Sequence, residues 1–270
     1  MEGNGSRRTN QELNGRRQAA SLAAVVAGST SVADKRMISV VIPTLDAEAT
    51  LPDTLSALIP ASLDGLVREV IVVDAGSKDR TREIADWAGA DVIETGPGRG
   101  SQLTAGAVAA RQPWLLFLNA DAVLDHGWER EASHFMERVD KDSSRQAAAA
   151  FRFALDDDGA APRLLEALAR LRFASLRLPH GEQGLLIPRS LYDAVGGYRE
   201  FSGMEDVDIA RRLGRRRIKV LRARAVSSAR GYREDGYLRR VLNNQIALVR
   251  YALGVSPVRA PTLQDERTDP

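Results

Sequence analysis

Cysteine is absent from the chain. That excludes a disulfide framework, a zinc-thiolate site and a thiol nucleophile. Aromatic residues are scarce, at 5%. No apolar run reaches the roughly 18 residues of a membrane-spanning helix. Charge of one sign is also missing: 38 Lys and Arg stand against 36 Asp and Glu, for a net charge of +2. So balanced a chain has no basic field that would call for nucleic acid. The three histidines, His126, His134 and His180, have no ligand spacing. What remains is 270 residues with 44% hydrophobic content, enough for one large α/β domain or two small ones.

Residues 1–36 are rich in Gly, Ser, Asn, Arg and Ala without periodicity and read as a disordered extension. Within them Ala19–Gly28 is short, Ala-rich and a poor signal peptide. Met37, directly before the first strand, is a candidate start. Residues 261–270 read as a polar tail.

Between these ends the pattern alternates. The run at 38–42 (ISVVI) is β-branched and stopped by Pro43, as in a buried strand. A helix is expected over 48–59, with Pro52 in its first turn. Strands are expected at 69–73, 91–94 and 114–118, and helices at 78–88 and 101–110. Strands alternating with helices at this spacing predict βαβ units and a mainly parallel sheet flanked by helices on both faces. The second half is less regular: strands at 147–155, 184–187 and 218–221, and helices at 163–176, 204–213 and 237–253. No internal repeat is visible, so residues 37–260 read as one domain. Its halves divide near residue 125.

Ligands of such sheets bind beyond the carboxyl ends of the strands. The loops there carry Asp46, Asp74 and Asp121. In VVDAGSKDRT, Asp74 closes a strand before a Gly76–Ser77 turn. A base-edge N–H would suit that carboxylate, and a plain strand–turn–helix with Ser77 or Asp79 as N-cap would also account for it. In FLNADA, Asn119 and Asp121 stand two apart around Ala120. Their oxygens suit Mg²⁺ or Mn²⁺ if a diphosphate completes the shell; a simple turn is the structural alternative. GPGRGSQLTAG, with Arg99, suits phosphate at a helix start, or is a flexible loop. It lacks a dinucleotide-binding spacing and a Walker lysine. GMEDVDIARRL places Glu205, Asp206 and Asp208 at a helix start, as a general base or as dipole compensation. RRLGRRR reads as a solvated face. The helices at 163–176 and 237–253 combine apolar stripes with Arg, as surface helices or as a membrane-docking face.

In their joint order these segments resemble family-2 glycosyltransferases, closest to a compact bacterial subgroup without transmembrane helices. ISVVIPTLDAE, EVIVVDAGSKDRT, GRGSQLTAGA, LLFLNAD, GEQGLLIPRSLYDAVGGY, MEDVDIARRL, SSAR and GVSPVR carry the resemblance, over about residues 38–259. It implies an α/β GT-A (Rossmann-like) fold, with residues 37–125 holding a nucleotide-sugar donor and 126–260 the acceptor and base. Asp74 would meet the base, Pro43 and Thr44 the nucleoside, and Arg99 and Gln102 the donor loop. Asp46, Gly76, Asn119 and Ala120 complete the donor set. Asp121 would hold Mg²⁺ or Mn²⁺, and Asp206, with Glu205 beside it, would be the base. Asn119 departs from the usual Asp-x-Asp and brings no charge. The implied reaction is inverting transfer from a UDP-type donor to a hydroxyl or carboxyl acceptor. That acceptor is a small molecule, a lipid or a polyisoprenoid. The implied location is cytoplasmic, with the inner membrane face as a contact surface. A sugar-phosphate nucleotidyltransferase would need a glycine-rich basic loop where PTLDAEAT stands. A non-catalytic binding protein is the third reading, and Asn119 is its best support.

Overall fold

The computed structural model describes residues 36–142, 146–176, 181–201 and 203–237. The expected helix over 237–253, both terminal tails and His180 lie outside the described residues.

The β-branched runs form the centre of an eight-stranded sheet of order β3-β2-β1-β4-β7-β6-β8-β5. Its strands are β1 (Ile38–Thr44), β2 (Val67–Asp74), β3 (Asp91–Glu94), β4 (Trp114–Phe117), β5 (Ala122–Leu124), β6 (Ala148–Asp156), β7 (Leu185–Pro188) and β8 (Ile218–Ser228). β1 pairs in parallel with β2 and β4, β2 with β3, and β6 with β8. β7 runs antiparallel between β4 and β6, and β5 runs antiparallel at the edge of β8. The register sets Thr44 opposite Asp74, so the two side chains leave the sheet together.

Successive strand residues point to opposite faces, and the core divides accordingly. Val40, Ile42, Trp114 and Leu116 face one layer, which helices α1 (Leu51–Ser56), α2 (Ile59–Leu63) and α5 (Trp128–Lys141) complete through Leu51, Ala61, Trp128 and Phe135. Val41, Val73, Leu115 and Phe117 face the other, covered by α4 (Arg99–Ala109), α7 (Arg189–Ala194) and α8 (Glu205–Leu213) through Leu103, Leu191 and Ile209. Helices α3 (Thr81–Trp87), α6 (Ala160–Leu176) and α9 (Arg230–Asp235) complete the described elements.

Three expectations need correction. The helix over 48–59 is two short ones, because Pro60 has no N–H to continue the ladder and sits instead in the first turn of α2. Helix α5 was not foreseen, although Trp128, Ala132, Phe135, Met136 and Val139 are buried at helical spacing. Its many charges mask that stripe. β8 continues to Ser228 rather than stopping at Leu221. Arg222 and Arg224 occupy its exposed positions, with their N–H groups donating to Glu131 and Asp125.

Helix α4 lies close on β1 and β2 because Gly106 has no side chain. A Cβ there would sit 2.3 Å from Val41 Cγ1 and 3.0 Å from Val73 Cγ2. Gly106→Ala is expected to destabilise by about 1–3 kcal/mol, as overpacking does. Denaturant unfolding measures this, and a midpoint equal to wild type would refute the seating of α4.

Candidate active site

At the carboxyl rim the loops after β1 and β2 are tied to each other. Asp74 has no exposed surface. Its oxygens accept from Thr44 Oγ1 (3.0 Å), Gly76 N (3.0 Å), Ser77 N (2.8 Å) and Ser77 Oγ. Asp46 is exposed, and its Oδ1 accepts from Lys78 N at 2.8 Å while its own N donates to Ser77 Oγ. Gln102, on the first turn of α4, donates through Nε2 to the carbonyls of Thr44 and Val73 at 2.8 and 2.7 Å. The sequence suggested a contact from Asp74 to a base. In this structure the carboxylate accepts from the protein's own donors, and Gln102 is turned to backbone.

The turn before α4 opens at Gly98, with φ of 135°. Gly100 then presses on the segment 199–201. Its N–H donates to Phe201 O at 3.2 Å, and a Cβ would fall 2.2 Å from Arg199 O. Thr104 Oγ1 donates to Tyr198 O at 3.1 Å. This packing aims Arg99 inward. Its Nη2 donates to Asn119 Oδ1 at 2.5 Å, its Nε faces Glu205 Oε1 at 2.9 Å, and its Nη2 lies 3.8 Å from Asp206 Oδ2. Tyr198 OH adds a long contact of 3.5 Å to Asp206 Oδ1. Arg99 thus joins the end of β4 to the start of α8, which are 86 or more residues apart in sequence.

Burial works against the charge of Arg99, but the carboxylates of Asp206 and Glu205, with Asp121 further off, outweigh it and hold its pKa above the ordinary value. Glu205 is pushed up to about 7, first by burial and then by the neighbouring charge of Asp206, with Arg99 opposing. Met204, immediately before, has φ of 66°. Among the described residues it shares a left-handed conformation only with Asp46, apart from glycines. Both flank the rim, where strained backbone is typical of functional sites.

Asn119, Ala120 and Asp121 form the turn between β4 and β5. It is held by Ala122 N to Asn119 O (3.2 Å), Thr54 Oγ1 to Ala120 O (3.0 Å) and Ser228 N to Asp121 O (3.1 Å). Arg99, Asn119 and Asp206 line one pocket with Phe117, Gly184 and Tyr198. Asp121 opens instead into a larger groove. Among the described residues no group of three His, Asp or Glu side chains is arranged to hold a metal ion. A single carboxylate fits a hard cation whose other ligands are diphosphate oxygens and water, not an ion caged by protein alone. The Asn119 amide oxygen is already engaged by Arg99. Pro43 and Thr44 lie at the rim end of β1, Pro43 partly exposed and Thr44 buried. Tyr198, Thr54 and Ser228 were not assigned a role from the sequence, although Tyr198 and Ser228 lie in the GEQGLLIPRSLYDAVGGY and SSAR segments; each acts through the fold.

The model of "Glycosyl transferase family 2" matches residues 39–199. The chain belongs to this family. A glucosyl-3-phosphoglycerate synthase of Mycolicibacterium paratuberculosis is 37% identical over 100 residues, 34% of this chain and 30% of that protein. An uncharacterized glycosyltransferase of Mycobacterium bovis is 41% identical over 91 residues, 33% and 39% of the two chains. The match therefore spans about a third of the length of these curated relatives. The Mycobacterium tuberculosis glucosyl-3-phosphoglycerate synthase, solved with Mn²⁺ and UDP-glucose, superposes with a TM-score of 0.55 at 24% identity. It covers 85% of this chain and 83% of its own. Staphylococcus aureus TarS 1-349 gives 0.56 at 18%, over 72% and 60%. These likenesses show the fold, the GT-A arrangement expected from the sequence.

In this family-2 chain the raised Glu205 has a consequence for stability. Between its ordinary 4.5 and about 7 the folded state holds a proton that the unfolded state releases. Stability from this group therefore falls as pH rises through that window. The stability of wild type relative to Glu205→Gln is expected to decline from pH 5 to pH 7 and then level off. Denaturant unfolding at each pH measures it. A difference independent of pH would refute the assignment.

Proposed function

We propose that this chain transfers a sugar from a nucleotide-diphosphate donor of the UDP-glucose kind to a hydroxyl of a small-molecule acceptor, with inversion. The carrying observation is Arg99, which ties Asn119, two positions before Asp121, to the Glu205–Asp206 pair at the rim. Support for the donor comes from the glucosyl-3-phosphoglycerate synthase of Mycobacterium tuberculosis, solved with Mn²⁺ and UDP-glucose in one structure and with phosphoglyceric acid in another.

In this reading Asp74 orders the loop after β2, and Pro43, Thr44, Asp46 and Gly76 form the wall for the nucleoside. Asp121 holds Mg²⁺ or Mn²⁺, which when bound supplies positive charge to the leaving diphosphate. Asp206 takes the acceptor's hydroxyl proton as its oxygen bonds the anomeric carbon. The electrons of the breaking carbon–oxygen bond leave with the nucleoside diphosphate. Glu205 and Arg99 are positioning residues behind it. One observation keeps membrane contact as a second reading: Leu164, Leu168 and Leu171 are exposed along one side of α6. They stand at helical spacing, with Arg163 and Arg170 among them.

Asp206→Asn is expected to lower kcat by about 10²–10⁴-fold, the usual contribution of a positioned base, with little change in donor KM. Nucleoside diphosphate release from UDP-glucose in the presence of acceptor measures it. An unchanged kcat would point to a carboxylate acceptor, which needs no base. Since one carboxylate holds the cation, Mn²⁺ alone is expected to leave the melting temperature nearly unchanged, and Mn²⁺ with UDP to raise it. Asp121→Asn should remove that gain. An equal gain from Mn²⁺ alone in both proteins would contradict it.

A further inference from the structure

Asn119 and Asp121 do not share a task. In an extended chain, residues two apart point to one side. Here the chain turns: Ala122 N donates to Asn119 O at 3.2 Å, Thr54 Oγ1 donates to Ala120 O and Ser228 N to Asp121 O. Asn119 accordingly lines the pocket with Arg99, Tyr198 and Asp206, while Asp121 lines a separate groove with Asp53 and Asp125.

Asn119 Oδ1 accepts from Arg99 Nη2 at 2.5 Å. The same guanidinium faces Glu205 Oε1 at 2.9 Å and Asp206 Oδ2 at 3.8 Å. Two further titratable groups stand near that pair. Tyr198 OH lies 3.5 Å from Asp206 Oδ1, and Asp208 is paired with Arg199 and Arg212. An amide oxygen at position 119 fixes the guanidinium without adding charge. One positive charge already serves two carboxylates there. A third carboxylate, as in the Asp-x-Asp pattern, would accept from Arg99 more strongly and draw it off Glu205 and Asp206.

We propose that Asn119 is a positioning residue for the Glu205–Asp206 pair, acting through Arg99, and not a ligand of the cation or the donor. This rests on the reading of Asp206 as the base. Asn119→Asp separates the two roles. As a cation ligand, the added carboxylate would let Mn²⁺ alone raise the melting temperature beyond the wild-type response. As a positioning residue, it leaves that response as in wild type and loosens Arg99 from Glu205. The pH window in which Glu205 alters stability, read against the same protein carrying Glu205→Gln, then ends about one unit higher than in wild type. Asn119→Ala, which removes the amide oxygen, should keep the full gain from Mn²⁺ with UDP. A larger response of Asn119→Asp to Mn²⁺, an unmoved pH window, or a lost gain in Asn119→Ala would each overturn the proposal. None of these measurements uses an acceptor, so the base reading fails separately, by an unchanged kcat in Asp206→Asn. Wild-type protein that gains nothing from Mn²⁺ with UDP would overturn the donor reading, and the two Asn119→Asp measurements would still decide this inference.

Discussion

A guanidinium set between an amide oxygen and two carboxylates decides the geometry of the whole rim. Arg99 reaches Asn119 from one side and Glu205 and Asp206 from the other. Without it, two adjacent acidic side chains at the start of α8 would repel each other, and Glu205, almost wholly buried, would have no cation near it. The turn that delivers Arg99 depends on Gly100, which lies against the backbone at 199–201. Helix α4 in turn depends on Gly106 to approach β1. Two residues without side chains thus allow one long charged side chain to arrive where it is needed.

The sheet supplies the rigid part. Parallel strands β1, β2 and β3 end together, and their register sets Thr44 beside Asp74. Gln102 fastens α4 to two of those strand ends. Backbone strain is confined to the joints: Asp46 after β1 and Met204 before α8 take left-handed conformations that cost a non-glycine residue roughly 1–2 kcal/mol. The strand pairing and the hydrogen bonds of Asp46 to Ser77 and Lys78 hold the first of these in place.

Much of this was legible from residue order. Continuous β-branched runs revealed the central strands, because burial on both faces selects for them. Acidic residues just past those runs marked the rim. What stayed hidden was long-range. The donors to Asp74 include Thr44, thirty positions away, so the sequence showed a strand-ending Asp in need of a partner without showing which one. The glycine-rich GPGRGSQ segment read as a phosphate site at a helix start or as a flexible loop; Arg99 begins the helix and points at carboxylates more than a hundred positions on. Helix α5 was missed because its charges outnumber the buried face that pays for it. Tyr198 gains its contact with Asp206 only through the fold.

The charge arithmetic at α8 explains why two carboxylates can share one arginine. With both ionised, Glu205 and Asp206 together exceed the single positive charge of Arg99. Burial and the charge of Asp206 push Glu205 up to about 7, so near neutrality it can keep its proton. Asp206 is half-buried and lines the pocket, while Glu205 does not. A proton acceptor must face the pocket and a buffer must not. In the proposed reading those duties divide by depth: Glu205 packs inward beneath Arg99, and Asp206, one position on, faces the pocket where an acceptor hydroxyl would arrive.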